Sequence, residues 1–296
     1  MCLLAIAIGA SARWPLVIAS NRDEFRDRPT LSLAVWSTPD DVTLISGRDV
    51  RAGGTWMGST PGGRIALLTN VREPDAATAA LSRGDLPLRW LEGQMNATEF
   101  LATTEASSYG GCNLLIGDFL RGEWSWASNR GDLLTDAAPL NSHRTTSGWQ
   151  TRQLPPGIYG LSNALLDTPW PKTLALKTAM QMALTQASDT ESSDKTNESA
   201  LSRKLWAALA SPQRAAVHEL PNTGVAPALE HALSSALIDM PERGYGTRCS
   251  TLMWVAQTAE GTFSATICEK TLDTQAQKTD TFAPAMVQLS WPLRVS

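Results

Sequence analysis

The chain opens with two apolar runs, residues 2–9 and 16–20, which are separated by the turn-forming segment 11–15. This pattern predicts a β-hairpin made of two buried strands, and therefore a sheet that begins with the first residues of the chain. Short apolar runs between turn signals predict further strands at 44–46, 55–58, 65–69, 114–116, 124–127, 251–255 and 262–267.

Two helical patterns separate the early strands from the last ones. The first begins near Pro169 and repeats apolar residues with helical spacing from Leu176 onward. The second is capped by Ser199 and ends before Pro212. Residues 187–199 contain no large apolar residue and are predicted to form a mobile polar loop. Strands, helices and strands in this order predict an α+β fold, with helices covering antiparallel sheets and residues 1–296 forming a single domain.

Composition argues against several classes of function. The 25 basic and 29 acidic residues give a net charge of −4, so no basic surface is expected for nucleic acid or for an anionic membrane. No apolar run reaches the roughly 20 residues that cross a bilayer. The first apolar run also lacks the basic region of a signal peptide. We therefore expect a cytoplasmic protein without a transmembrane segment, and its oligomeric state is left open.

Cysteine and histidine usage indicates no metal site. The four cysteines form no Cys-x-x-Cys pair, and the three histidines lack metal-ligand spacing. The thiols are expected to be free in the reducing cytosol. Cys112, Cys249 and Cys268 are predicted core residues, because free cysteine is among the most buried residue types.

Cys2 is the residue that points most directly to chemistry. Residue 2 is small, so removal of Met1 is chemically reasonable and would leave a thiol and an α-amine on one residue. An α-amine has an unperturbed pKa near ~7.7–8.0 and can accept the thiol proton near neutral pH. This is the N-terminal-nucleophile arrangement. The alternative is that Cys2 is a core residue of the first strand.

The polar segment 21–24 follows directly on the second predicted strand. There, Asp23 can hydrogen-bond the amine of Cys2, and the cation Arg22 can favour the thiolate. The alternative is a solvated turn held by salt bridges.

Three more polar residues, Asn70, Asn163 and Arg248, occur at the ends of predicted strands. An Asn amide can donate a hydrogen bond to an oxyanion, although Asn is also a common turn residue. Together with Cys2, these residues indicate a reactive centre at one edge of the sheet.

These residues belong to a series of motifs that runs from residue 2 to about residue 270. The motifs are Met1-Cys2, Asn21-Arg22-Asp23-Glu24-Phe25, Gly53-Gly54-Thr55-Trp56, Leu68-Thr69-Asn70, Tyr159-Gly160-Leu161-Ser162-Asn163-Ala164-Leu165-Leu166, Thr168-Pro169-Trp170 and Tyr245-Gly246-Thr247-Arg248. In this order they resemble the Transport and Golgi organisation protein 2 family, whose hallmark is Asn-Arg-Asp-Glu. The resemblance implies a four-layer αββα sandwich of the N-terminal-nucleophile hydrolase type. From these motifs we assign four residues to ligand binding: Asn21, Arg22, Glu24 and Trp56.

A more distant likeness is to bile-salt hydrolases and penicillin V acylases. Their pattern has a terminal Cys, an Asp after the second strand, two Asn residues at strand ends and a late Arg. It implies catalytic roles for Cys2, Asp23, Asn70, Asn163 and Arg248. The acylases also have an Arg shortly before that Asp, whereas here Ser20 precedes Asn21 and the cation is Arg22. Their substrate pocket therefore does not carry over.

Two functions follow from these observations. The first is hydrolysis of a linear amide C–N bond by Cys2, with Asp23 positioning the amine and no cofactor required. Asn70 and Asn163 would stabilise the oxyanion, and Arg22 or Arg248 would bind a carboxylate or tune the thiol.

The second function is that of a non-catalytic carrier for haem or a related hydrophobic ligand. The resemblance favours it, because the family is associated with Golgi organisation, lipid and acyl-CoA homeostasis and haem transfer. The Asn-Arg-Asp-Glu segment would then contact the ligand's carboxylates. Three histidines and no Cys-Pro dipeptide offer no obvious axial ligand, so haem would bind weakly and transiently.

Overall fold

The computed structural model describes residues 2–74, 79–131, 142–188, 194–258, 260–272 and 286–293. For Cys2, 187–188 and 194–199 it describes the backbone alone. The strands are β1 Cys2–Ile8, β2 Leu16–Phe25, β3 Thr30–Ser37, β4 Thr43–Asp49, β5 Met57–Ser59, β6 Arg64–Asn70, β7 Cys112–Asp118, β8 Glu123–Ser128, β9 His143–Arg144, β10 Gln150–Gln153, β11 Gly157–Leu161, β12 Asp239–Met240, β13 Tyr245–Gln257, β14 Phe263–Thr271 and β15 Met286–Pro292. The helices are α1 Asp85–Glu92, α2 Ala97–Thr103, α3 Pro171–Ser188, α4 Asp194–Leu209 and α5 Pro227–Ala232.

The described strands form two antiparallel sheets. Sheet A has the order β11-β1-β2-β13-β14-β15, with β12 paired to β13, and sheet B has the order β3-β4-β5-β6-β7-β8-β10-β9. The first hairpin predicted from the sequence is present, because β1 pairs antiparallel with β2 from Cys2 opposite Arg22 to Ile8 opposite Leu16. The strand pairs β5–β6, β7–β8 and β13–β14 also fall where the apolar runs predicted them.

Side-chain alternation along β1 explains the layers. Leu4, Ile6 and Ile8 enter a core between the two sheets, together with residues of both. Leu3, Ala5 and Ala7 enter a second core beneath α3 and α4. Because both faces of the strand are covered, its sequence is an uninterrupted apolar run.

Sheet B is covered in the same way on its outer face. Leu86, Trp90 and Leu91 of α1 pack there with Phe100 and Leu101 of α2, in a third buried cluster. The layers are therefore helices, sheet A, sheet B and helices, and the predicted αββα sandwich is confirmed.

The prediction of a polar loop over residues 187–199 is wrong at both ends of that range. Helix α3 continues to Ser188 and α4 already begins at Asp194. Residues 189–193 lie outside the described residues. A helix that is anchored downstream by the buried Leu201, Leu205 and Leu209 can extend upstream through polar turns without any apolar residue in them. Across the described residues, no helix combines the length and the apolar character needed to span a bilayer.

Candidate active site

The ends of β2 and β6 and the start of β13 border a cavity of about 930 Å³. Apolar side chains form part of its wall, among them Trp56, Leu68, Leu229, Leu233 and Met240. The wall also carries four acidic residues, Asp23, Glu24, Asp49 and Glu73, and six arginines, Arg22, Arg28, Arg51, Arg72, Arg83 and Arg243. A concave site with apolar walls and convergent polar groups is the ordinary form of a small-molecule site. The ten charged side chains make this wall rich in charge.

Cys2 begins β1, the strand that pairs with β2. Its backbone lies opposite Arg22 in the β1–β2 register, and Arg22 lines the cavity. Directly opposed residues of an antiparallel pair have Cα atoms roughly 4.5–5.5 Å apart. The start of the chain and the Asn-Arg-Asp-Glu segment are therefore immediate neighbours.

Arg22 is buried and held on three sides. Its guanidinium lies 4.3 Å from the ring of Trp56, donates to the Thr30 hydroxyl at 3.2 Å and approaches the Asp49 carboxylate at 4.0 Å. Trp56 in turn packs so closely on Gly47 that a Cβ there would lie 2.4 Å from the indole ring. The structure thus brings the predicted ligand residues Arg22 and Trp56 together as one stacked pair in the cavity wall.

Asn21 has a different role from the one predicted for it. Its side chain is fully buried, and its amide donates to the carbonyls of Leu209 at 2.9 Å and Ala236 at 2.8 Å. Its carbonyl oxygen accepts from the Ser250 hydroxyl at 2.6 Å. Strand alternation sends it to the face opposite Arg22, toward the helices. Asn21 is a structural link between sheet A and the helical layer, so we do not keep it as a ligand residue.

Asp23 is buried where β2 meets β13. Its carboxylate accepts a hydrogen bond from the Thr247 hydroxyl at 2.7 Å. Burial raises the pKa of the Asp23 carboxyl by desolvating its charged form, and the positive charge of Lys172 opposes this increase. Asp23 lines the cavity beside the start of β1. Its contact with the amine of Cys2 stays a prediction.

Glu24, the last residue of the motif, is half-buried in the cavity wall. Its carboxylate accepts from the backbone N–H of Phe25 at 2.8 Å, which leaves further acceptor positions on its two oxygens. It is placed where a ligand in the cavity can reach it.

Asn70 and Asn163 were predicted to act as a pair, but the structure separates their roles. Asn70 lines the cavity, and its side-chain amide forms no hydrogen bond with any residue that the structure describes. Asn163 is buried and does not appear among the described residues that line the cavity. Its side-chain amide donates to the backbone carbonyl of Asn70 at 2.8 Å. Its backbone carbonyl accepts from the backbone N–H of Arg72, also at 2.8 Å. Asn163 fixes the end of β6, whereas Asn70 presents a donor to the cavity.

Arg248 also departs from its predicted role. It lies in a β-bulge, since the β2–β13 register shifts between Thr247 and Cys249. Its guanidinium donates to the carbonyls of Phe25 at 2.8 Å and Arg28 at 3.1 Å, and it is absent from the described residues of the cavity wall. The bulge turns this side chain toward the β2–β3 turn. Arg248 therefore secures the turn that follows the Asn-Arg-Asp-Glu segment.

The other three cysteines behave as predicted. Cys112, Cys249 and Cys268 are free and buried. Burial raises the pKa of the Cys112 thiol to about 12 because a thiolate would be desolvated there. The Cys112 thiol is therefore protonated near neutral pH and is a poor nucleophile.

Sequence reasoning missed Arg72, a buried arginine of the cavity wall. Its side chain is 2% exposed and forms an ion pair with Glu230, which is 3% exposed. Its guanidinium also lies over the ring of Trp170 at 4.9 Å. A signal was present in the sequence, since Arg72 lies two residues beyond Asn70 at the same strand end.

A family model described as Transport and Golgi organisation 2 matches residues 1–274. The chain belongs to this family. The Transport and Golgi organization 2 homologue of Mus musculus is 32% identical over 177 residues, a match that covers 58% of this chain and 59% of the mouse protein. The Homo sapiens homologue is 33% identical over 165 residues, covering 53% of each chain. This chain thus spans little more than half the length of the curated relatives it matches.

Solved structures with a similar backbone include an orthologue of N-acylethanolamine-hydrolyzing acid amidase from Caenorhabditis elegans. It is 12% identical, with a TM-score of 0.45 over 85% of this chain and 92% of that one. Another is a mutant of the conjugated bile acid hydrolase from Clostridium perfringens, 9% identical, with a TM-score of 0.42 over 100% of this chain and 98% of that one. The similarity concerns the backbone alone.

Proposed function

We propose that this protein is an N-terminal-nucleophile amidohydrolase that cleaves a linear amide C–N bond at Cys2. The observation behind the proposal is the β1–β2 register. It sets the start of the chain opposite Arg22, in the wall of a cavity that Asp23 and Asn70 also line. A nucleophile, a buried carboxylate and an open amide donor then border one space that is large enough for a small-molecule amide.

The reaction follows from an α-amine and a thiol on one residue. After removal of Met1, the amine takes the thiol proton, and the sulfur attacks the amide carbon. The tetrahedral intermediate collapses as its C–N bond breaks, and the leaving amine takes the proton from the α-ammonium group. Water then attacks the resulting thioester with the amine as base, which releases the carboxylic acid and restores the thiol.

The cavity residues have different roles in this proposed reaction. Asn70 donates to the oxyanion of the tetrahedral intermediate, because its amide is not used by the described protein. Asp23 orients the α-amine by hydrogen bonding. Arg22 supplies a fixed positive charge that favours the thiolate, since Trp56 and Thr30 hold its guanidinium in place. Asn163 and Arg248 act indirectly by holding the segments that carry Asn70 and Glu24.

The test begins with the intact mass of the purified protein, which should be lower by one methionine. Limiting iodoacetamide should then label Cys2 ahead of the other cysteines. A panel of linear amides, followed by mass spectrometry of the released acid, should show turnover that Cys2→Ala abolishes. Cys268→Ala is the matched control and should leave turnover intact, because that thiol is buried in the core beneath α3 and α4. A retained Met1, or turnover that survives Cys2→Ala, would contradict the proposal.

A second candidate is a carrier of haem or a related hydrophobic ligand. What favours it is the combination of apolar walls with arginines that can bind propionates. Haem titration of the wild type and of Arg22→Ala separates the candidates. A carrier should lose haem affinity in the variant and hydrolyse no amide, whereas a hydrolase should lose turnover with Cys2→Ala.

A further inference from the structure

Arg72 is buried in the cavity wall with only part of its guanidinium in use. Its Nη1 donates to the Glu230 carboxylate. Its Nε and Nη2 are also buried and form no hydrogen bond with the residues that the structure describes. An unpaired buried N–H of a charged group is costly, so a side chain with two such nitrogens calls for an explanation.

The two unused donors lie on the same edge of the guanidinium. Nε and Nη2 present parallel N–H groups, which is the geometry that binds the two oxygens of a carboxylate in a bidentate way. Glu230 cannot turn to fill this edge. Its other oxygen accepts from both the N–H and the hydroxyl of Thr223. This edge of the guanidinium, called the open edge below because no described residue bonds it, is therefore unpaired in the folded chain.

The position of Arg72 is fixed as firmly as its orientation. Its backbone N–H donates to the carbonyl of Asn163 at 2.8 Å, and its guanidinium lies over the ring of Trp170. Arg72 lies two residues beyond Asn70, and two residues of extended chain span roughly 6.6 Å. Arg72 and Asn70 therefore belong to the same stretch of the cavity wall.

We infer that the open edge of Arg72 binds a carboxylate of the substrate, and that this protein selects amides that carry a carboxylate within a few bonds of the scissile carbonyl, as N-acyl amino acids do. The inference rests on the proposed function and names its substrate class. The arginines of the cavity wall favour the same sign of ligand charge. The other cavity arginines differ from Arg72 in their pairing, and Arg28, for example, already makes a bidentate contact with Asp49 at 2.9–3.2 Å.

The experiment measures binding without turnover, in the full-length Cys2→Ala variant, by isothermal titration calorimetry. The probes are N-dodecanoylglycine, its neutral counterpart N-dodecanoylethanolamine, and the N-ethyl monoamide of dodecanedioic acid, whose carboxylate lies at the far end of the chain. N-dodecanoylglycine should bind at least about tenfold more tightly than either of the others, as expected for charge-assisted hydrogen bonds. Equal affinity for all three probes would overturn the inference without any further variant.

Two variants then assign the preference to Arg72. Arg72→Lys keeps the charge but loses the bidentate edge, and Arg72→Met with Glu230→Gln removes both charges, so that no buried carboxylate is left unpaired. Both should abolish the preference and leave affinity for the neutral amide within about twofold. Circular dichroism establishes that they fold. Arg64→Lys is the matched control and should keep the preference, because Arg64 is a buried arginine outside the described cavity wall. A preference that persists in a folded Arg72 variant would overturn the inference.

The two proposals can fail separately. If N-dodecanoylglycine binds preferentially through Arg72 but no amide is hydrolysed by the wild type, the binding site stands and the hydrolase proposal falls. If neutral amides are hydrolysed as fast as the glycine conjugate, the hydrolase proposal stands and the substrate class named here is wrong.

Discussion

The helix-facing side of β2 and the wall of the cavity use similar polar groups for opposite purposes. On the helix-facing side, the buried amide of Asn21 spends its donors and its acceptor on Leu209, Ala236 and Ser250. On the cavity side, Asn70 keeps its amide free of the described protein, and Arg72 keeps one edge of its guanidinium open. A polar group that is fully bonded inside the protein holds structure, whereas one left open beside a cavity is available to a ligand.

The largest effect should come from Asn21→Ala. The change leaves two carbonyls and a hydroxyl buried without their partner, and each costs about 1–3 kcal/mol. We expect the free energy of unfolding, measured by urea denaturation, to fall by at least about 3 kcal/mol. Asn96→Ala is the control, because it removes only the N-cap of α2 and should cost about 1 kcal/mol. A loss of stability at Asn21 no larger than that of the control would remove the contrast between the two regions.

Asn70→Ala should act on the rate and not on stability. Removing an oxyanion donor lowers kcat by about 10²–10³, while KM should change little because the bond strengthens in the transition state. The free energy of unfolding should stay within about 1 kcal/mol, since no hydrogen bond within the described protein is lost.

Asn163→Ala sharpens the same comparison. It should lower stability by about 1–2 kcal/mol and the rate less than Asn70→Ala, because its amide holds the Asn70 carbonyl and reaches the reaction only through it. Steady-state kinetics and urea denaturation of both variants provide the measurement. An equal decrease in kcat for the two variants would instead indicate that Asn70 and Asn163 both donate to the oxyanion.

Arg248→Gln should have a smaller, structural effect. It removes two hydrogen bonds to the turn carbonyls of Phe25 and Arg28, which become solvated, so stability should fall by about 1 kcal/mol. Affinity for a carboxylate ligand, measured by calorimetry, should be unchanged. A variant that binds the carboxylate ligand more weakly but is as stable as the wild type would indicate that Arg248 contacts the ligand.

The smallest expected effect is the pH dependence due to Asp23. Burial raises the pKa of its carboxyl in the folded state, so its contribution favours folding below the unfolded pKa and is lost as pH rises through the folded one. Asp23→Asn should therefore gain stability relative to the wild type as pH rises above about 4.

Thr247→Val should steepen this dependence, because the Thr247 hydroxyl bonds the carboxylate form and lowers the pKa of Asp23. Urea denaturation of the wild type and both variants from pH 4 to 8 measures the trend. A wild type that gains stability over Asp23→Asn with rising pH would show that attraction to nearby cations outweighs desolvation.

Much of the fold could be predicted from the sequence, because apolar runs report burial directly. The first hairpin, the β5–β6 and β7–β8 pairs and the two long helices followed from periodicity. The missed elements include β3, most of whose side chains are exposed or half-buried, and the short helix α1, which carries Pro87 in its first turn. A segment with few buried positions has no clear apolar periodicity, so its sequence gives little indication of its secondary structure.

The candidate site, like the fold, was predictable from the sequence only in part. The sequence by itself determined that Cys2 begins a strand beside the Asn-Arg-Asp-Glu segment, because a hairpin with a short turn fixes that register locally. Only the tertiary structure decided which way the side chains point. Asn21 finds its partners 188 and 215 residues away along the chain, and Arg72 meets Glu230 across 158 residues. Strand alternation shows that neighbouring side chains diverge, but packing of distant segments decides which face is filled by helices and which is left open as a cavity.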